Sequence, residues 1–271
     1  MQCLQLTRGD PSTISSLPAI GTALNDMSWE DIKKVSDAGL ASSYFAVGDR
    51  KAVALNGTAG SLSLRGTYYC YIIGINHNSA KEGTNRIHFQ FGYTAASGGI
   101  HIAFIDSGYG KSYFSGSYFN MNNTDSNRGG WANSRMRTTI IPTFKACLPS
   151  DLQAVLKTVT KYSDNTGGSS HTASYVTATS EEVFLLAEWE VFGTRTNANS
   201  AEQNYQEQYF YYSAGNSKVR YQHSSTGSTA VWWLRSVYTN DSVSFCTVTQ
   251  SGTKNGSMPE YSRGFAPAFC V

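Results

Sequence analysis

The stretch Arg86-Ile87-His88-Phe89-Gln90-Phe91 alternates strictly between polar and apolar residues, a period of two that suits a strand and not a helix. It predicts a strand with Ile87, Phe89 and Phe91 on a core face and Arg86, His88 and Gln90 on a polar one. Ile100, Ile102 and Phe104 repeat the pattern, and Tyr68 to Ile75 reads as a denser aromatic and β-branched strand. Between such runs lie stretches rich in Gly, Ser, Asn and Tyr without any period, the longest from Ser107 to Gly130, which read as loops. Short strands joined by long polar loops bury their apolar faces in antiparallel sheets, so the expected fold class is α+β, mostly antiparallel with a few helices.

Local signals refine this outline. Ser28-Trp29-Glu30-Asp31 has the form of a helix cap, with Ile32 and Val35 following on one face, and predicts a helix over 28–38. Gly48-Asp49 between Tyr44-Phe45-Ala46-Val47 and Lys51-Ala52-Val53-Ala54-Leu55 suggests a hairpin. Trp131 to Arg137 reads as a short helix. Pro149-Ser150-Asp151 caps a stronger one with the stripe Leu152, Val155, Leu156 and Val159. Glu182 to Phe192 reads as a buried strand, and Ser200-Ala201-Glu202-Gln203 opens a helical segment through Tyr212. Residues 1–27 are expected to be a leader or the end of a preceding region, and 28–271 a single domain.

Composition removes several functions. Charged residues make up 15% of the chain, against about 25% in an ordinary domain, while aromatic residues supply 13%, enough apolar surface to fold. A net charge of +2 gives no basis for capturing nucleic acid. No apolar run approaches the ~20 residues of a membrane span, and Met1 to Leu6 lacks the basic leader and apolar core of an export signal. Arg8-Gly9-Asp10 is read as a chance tripeptide.

Recognisable catalytic chemistry is thin. The five cysteines (Cys3, Cys70, Cys147, Cys246, Cys270) show no metal-ligand spacing and read as scattered buried thiols, with a Cys246–Cys270 disulfide open in an oxidising medium. The sequence contains no HExxH, GxSxG or phosphate-loop motif. His88 and His101 with Asp106 make a small metal site conceivable, and solvent-facing histidines are the simpler reading. Glu188 and Glu190 on one strand face would stand ~7 Å apart, yet read as structural. No catalytic residue, metal or cofactor is expected, and the chain is not expected to be an enzyme.

The last forty residues differ from the rest. Trp232-Trp233-Leu234-Arg235-Ser236, the Phe245-Cys246-x-Val248 step, Gly252, and Ser262-x-Gly264-Phe265-Ala266-Pro267-Ala268-Phe269 are apolar anchors separated by small polar residues. By composition alone this is a solvent-exposed β-meander, with Phe245, Val248 and the two tryptophans as core.

The same residues resemble the variable proteins of diversity-generating retroelements, C-type lectin-like proteins of phages and gut bacteria. In them a reverse transcriptase copies a template repeat with errors at adenines and so diversifies the C-terminal segment. Gly48-Asp49-Arg50-Lys51, Gly129 to Arg137, Leu148 to Gln153 and Val183 to Glu188 are similar to a gut phage family with the same ending. The resemblance implies a C-type lectin-like fold, a variable segment at 232–271, and a ligand-binding display protein on a phage tail or bacterial surface. Its partner would be a protein or glycan receptor, with a homo-oligomer also open.

The implied contact residues are Tyr238, Thr239, Asn240, Asp241, Ser242, Ser244, Thr247, Thr249, Ser251, Thr253, Asn255, Ser257 and Tyr261. Most are outcomes of adenine mutagenesis of Asn codons, whereas Gln250, Lys254, Met258 and Glu260 are not, and Val237 stands where the family has Pro. Their palette of Tyr, Ser, Thr and Asn is that of antibody loops. The calcium-lectin tripeptides EPN, QPD and WND are absent, so calcium-dependent sugar binding is not expected. The competing readings are a surface enzyme, either a glycan hydrolase or a formylglycine-generating-type oxidase using Cys246 or Cys270, and a structural virion subunit.

Overall fold

The computed structural model of the chain describes residues 17–271, so Cys3 and Arg8-Gly9-Asp10 lie outside the described residues. The fold is α+β, with mostly antiparallel strands and few helices. Strands β1 (Arg50–Ala59) and β2 (Leu62–Ile75) form a long hairpin, and β3 (Ile87–Tyr93) pairs with β2. The near-terminal β13 (Ala268–Cys270) enters between β3 and β7 (Val183–Phe184), giving an antiparallel sheet in the order β1-β2-β3-β13-β7.

Three smaller sheets surround it. One joins β4 (Ile102–Ala103), β8 (Arg220–Gln222) and β9 (Ser225–Ala230), with β4 and β8 parallel. A ribbon pairs β5 (Val159–Asp164) with β6 (Val176–Glu181). The third is the antiparallel meander β10 (Trp232–Val237), β11 (Phe245–Val248) and β12 (Lys254–Ser257).

The alternation of β3 is real, yet its polar face is not wet. Ile87, Phe89 and Phe91 pack on one side, where Phe89 stacks on Phe269 at 5.2 Å and meets Trp29 edge-on at 5.5 Å. On the other side Gln90 Oε1 accepts from Tyr71 at 2.7 Å and Tyr212 at 2.6 Å, while His88 Nδ1 lies 3.1 Å from the Tyr209 hydroxyl. Both polar residues are fully buried under the 205–212 segment. Tyrosine suits this role because its ring covers apolar surface while its hydroxyl satisfies the strand's polar groups.

Several expectations change for stated physical reasons. The helix over Trp29–Asp37 forms, and the Ser28 side chain accepts from Asp31 N as expected. The hairpin around Gly48-Asp49 does not: Ala41–Tyr44 is a helical turn, and β1 pairs instead across the Gly60 turn. The helix after Pro149 is only Ser150–Gln153, because Val159 is taken into β5 opposite Glu181. Trp131 to Arg137 divides into a turn, Gly130–Asn133, and the start of a π-helix, Met136–Ile140. Glu182 to Phe192 begins as β7 but becomes a helix at Glu188–Phe192, because Glu190 Oε2 folds back to accept from Ala187 N at 2.9 Å. The segment after Ser200 is a short 3₁₀ turn capped by Asn199, with a separate helical turn at Phe210–Ser213.

Residues just before 28 pack on the fold. Leu24 and Met27 are core residues, Asn25 accepts from Ala52 N, and Pro18 O accepts from the Tyr44 hydroxyl. Cys70, Cys147, Cys246 and Cys270 are free thiols, so no Cys246–Cys270 disulfide forms.

An ion network occupies the centre. Arg235 of β10 forks onto Glu190, with Nη2 2.7 Å from Oε1, while its Nε donates to Ser163 Oγ and its Nη1 to Leu185 O, each at 2.8 Å. Lys161 of β5 lies 2.6 Å from Glu82 Oε2, 3.1 Å from Glu190 Oε1 and 2.7 Å from the Tyr209 hydroxyl. All four charged side chains are buried and their charges balance. Arg235→Met leaves two buried carboxylates to the single Lys161 ammonium and is expected to cost about 3–5 kcal/mol in denaturant unfolding. Arg235→Lys should recover only part of this, since an ammonium cannot reproduce the fork.

Candidate ligand-binding face

The Trp-Trp-Leu-Arg-Ser string becomes β10, and each of its side chains has an interior partner. Trp232 lies under the Arg220 guanidinium at 4.7 Å, Trp233 Nε1 donates to Phe119 O at 2.8 Å, and Arg235 holds Glu190. Ser236 Oγ donates to Glu202 Oε2 at 2.7 Å and accepts from Glu188 N at 3.1 Å. β10 is therefore a core strand, not part of an exposed meander. The final Phe265 to Val271 run is buried as well, with β13 inside the main sheet. What remains at the surface is the 238–243 loop, the 249–256 turn and strand, and the flanking Met258 and Tyr261, with β11 buried between them.

Interior polar groups hold this stretch by its backbone. The Asn127 amide nitrogen stands 3.1, 3.3 and 3.4 Å from the carbonyls of Ser244, Asp241 and Tyr238, and its main-chain N–H donates to Ser242 O. Thr239 N and Oγ1 both donate to Asn197 O, at 2.8 and 2.7 Å. Asn197 is fixed in turn by Glu188, whose buried carboxylate accepts from the main-chain nitrogens of Thr196, Asn197 and Ala198. Beside the face, Asp106 accepts from Gly108 N and Ser262 Oγ, each at 2.8 Å, and from Phe119 N, which fixes the 107–119 loop against the C-terminal segment. Charge-assisted bonds of this kind fix loop geometry without reference to outward side chains.

The expected contact residues divide three ways. Asn240, Ser242, Ser251, Thr253 and Asn255 are exposed; Tyr238, Asp241, Thr249 and Tyr261 are half-buried; Thr239, Ser244, Thr247 and Ser257 are buried. These last four cannot touch a ligand on the folded surface. Thr239 and Ser244 face inward to close the 238–244 loop, Ser257 Oγ accepts from Arg263 Nε, and Thr247 lies within the sheet. Asp241 also turns onto its own loop, accepting from Val243 N at 2.9 Å and Ser244 N at 2.7 Å, an Asx-type closure. Tyr238 packs flat on Gly256, where an added Cβ would meet the ring at 2.5 Å. The Thr249, Ser251 and Thr253 hydroxyls bond one another across the β11–β12 turn.

The other sequence candidates separate. His88 and His101 sit on different tyrosines, the latter 3.0 Å from the Tyr71 hydroxyl, and neither faces solvent or Asp106's partners. His77, Glu82 and Glu190 do offer ligand atoms within 4.8 Å of one another, but the cation among them is the chain's own Lys161 ammonium. Glu188 and Glu190 lie on a helix, not one strand face, and both carboxylates are engaged in the interior. Burial pushes the Cys270 thiol up to about 12 and Cys246 well above its ordinary value, which suppresses the thiolate.

Asn127, Asn197 and Glu202 escape sequence reading. Each lies in a loop or short turn without period, and the one local hint is the pair of positive-φ glycines, Gly129 and Gly130, beside Asn127. An added Cβ at Gly130 would stand 2.0 Å from Asp164 O, so the loop packs where only glycine fits.

With this geometry in view, a comparison with protein families becomes informative: the profile "Domain of unknown function (DUF6273)" matches residues 110–271, more than half of the chain. The chain belongs to the DUF6273 family. The matched DUF6273 region contains Arg235, Glu190, Asn127 and the whole of the face, whereas Glu82 and the β1–β3 strands precede it. No curated protein and no solved structure matches the chain.

Two measurements check this site. The Thr247 hydroxyl is buried without a hydrogen-bond partner among the described residues, so Thr247→Val is expected to stabilise the protein by about 1 kcal/mol in denaturant unfolding. Burial pushes the Glu202 carboxyl up to about 7 from an ordinary 4.5. Folding therefore favours its protonated form, and that contribution, complete below about 4.5, is lost as pH rises through about 7. Glu202→Gln removes the ionisation, so its unfolding free energy in denaturant should gain on the wild type across that interval, by on the order of 3 kcal/mol at most.

Proposed function

We propose that this chain is a ligand-display protein of C-type lectin-like fold, the variable protein of a diversity-generating retroelement. Its exposed 238–257 face binds a protein or glycan receptor, and the protein works on a phage tail or bacterial surface. The observation that carries the reading is the division of labour at the face. Backbone ties of the 238–244 loop run inward to Asn127 and Asn197, and 254–257 pairs with the buried β11, while Asn240, Ser242, Ser251, Thr253 and Asn255 point outward. A surface whose backbone is held from below tolerates exchange of its outward side chains, which is what diversification by mutation requires.

Further support comes from positions whose codons do not follow the adenine rule. Of the four, Glu260 is buried and the Lys254 ammonium donates to the hydroxyls of Thr194 and Thr196, so these two serve the scaffold, whereas Gln250 and Met258 are exposed. Small hydroxyl and amide side chains lose little entropy on binding and adapt their hydrogen bonds, as in antibody loops. The 107–126 loop, with the stacked Tyr113–Tyr118 pair and the exposed Phe114, borders the face and enlarges it toward the about 800 Å² per partner of a standard interface.

Single replacements at the five outward positions are expected to change unfolding free energy by no more than about 0.5 kcal/mol. A library randomised at all five should yield folded binders to unrelated targets when displayed and selected. General loss of folding across that library would end the display reading. At the DNA level, the reading requires a near-copy of the segment coding Trp232 to Phe269, differing at adenines and adjoining a reverse transcriptase.

A further inference from the structure

We propose that the side chains of Lys161 and Glu82 are joined in the folded protein by an intramolecular isopeptide bond. Lys161 Nζ stands 2.6 Å from Glu82 Oε2, and both side chains are buried, the lysine completely. That contact holds the nitrogen beside the carboxyl carbon it would attack, in a site closed to water. The Phe184 ring lies 4.4 Å from Nζ, and Tyr209 adjoins it. Proximity of this kind converts an otherwise slow condensation into an intramolecular one.

The surrounding groups match the needs of amide formation. Glu82 Oε1, the oxygen turned away from Lys161, lies 3.4 Å from the donor Asn78 Nδ2 and 3.9 Å from His77 Nε2. His77 Nε2 is buried with no hydrogen-bond partner among the described residues. A small rotation toward Oε1 gives it one, and sets two donors on the oxygen that becomes negative in the tetrahedral intermediate. Glu190 Oε1, 3.1 Å from Nζ, is placed to relay a proton.

The step balances without any co-reactant. A proton passes from the Lys161 ammonium to the Glu82 carboxylate, giving amine and neutral acid. Nζ then bonds to the carboxyl carbon, the carbon–hydroxyl bond breaks, and the amine's second proton reaches the departing hydroxyl through Glu190, releasing one water. Burial already pushes the Glu82 carboxyl up to about 7, which favours the neutral acid. Two buried charges become a neutral amide, and Arg235 and Glu190 remain as a balanced pair. The bond would close the chain between residues 79 apart in sequence, linking β5 to the turn after β2. It is independent of the display reading.

Peptide mass spectrometry of the denatured and digested wild-type full chain tests the bond. The expected product is a branched peptide containing Lys161 and Glu82, lighter by one water than its two parts together, and absent from Lys161→Met. Recovery of both wild-type residues as unmodified peptides would overturn the proposal, as would a branched peptide persisting in Lys161→Met. The wild-type measurement stands whether or not the variant folds.

Discussion

The forked ion pair between Arg235 and Glu190 is where three of the four sheets described for this protein meet. Arg235 belongs to the β10–β12 meander, and Glu190 caps the helix that follows β7 of the main sheet. Lys161, reaching Glu190 from the β5–β6 ribbon, brings in the turn that carries Glu82. A buried charge is tolerable only where its partners are complete, so each element must arrive in register for the network to close. That requirement makes the network a device for specifying one arrangement of short elements, none long enough to be stable alone.

The same logic extends outward from the core. Glu188, Glu202, Asp106 and Asp164 are buried carboxylates that accept from backbone nitrogens of loops. Asn127 and Asn197, the latter fixed by Glu188, carry this support to the 238–244 loop. Low overall charge thus does not mean that charge is unimportant. Much of the acidic complement is spent inside, and the surface is left to hydroxyls, amides and tyrosine.

The parts of this architecture legible in the sequence were those with local causes. The Ser28 cap, the alternating β3 and the core tryptophans all follow from spacing and side-chain type. The polar face of β3 misled because its partners, Tyr71, Tyr209 and Tyr212, are distant in sequence and supply the hydrogen bonds that water otherwise would. The Glu188–Phe192 helix was hidden by a run of apolar residues compatible with strand or helix, and Glu190 decides between them by folding back onto Ala187. At the face, residue type identified the polar palette but not its direction. Thr239 and Thr247 are of the same type as Thr253, and only tertiary packing turns the first two inward.

The central claim is that the backbone of the 238–244 loop is held from the interior by Asn127 and Asn197, independently of its outward side chains. Native-state hydrogen exchange tests this most directly in a variant carrying alanine at Asn240, Ser242, Ser251, Thr253 and Asn255 together. The amides of Trp233, Tyr238 and Thr239 donate to Gly264, Ser244 and Asn197 carbonyls. Their protection is predicted to match the wild type. Loss of protection at Tyr238 and Thr239, with the core strands unchanged, would show that the outward side chains themselves hold the loop, and would contradict the account.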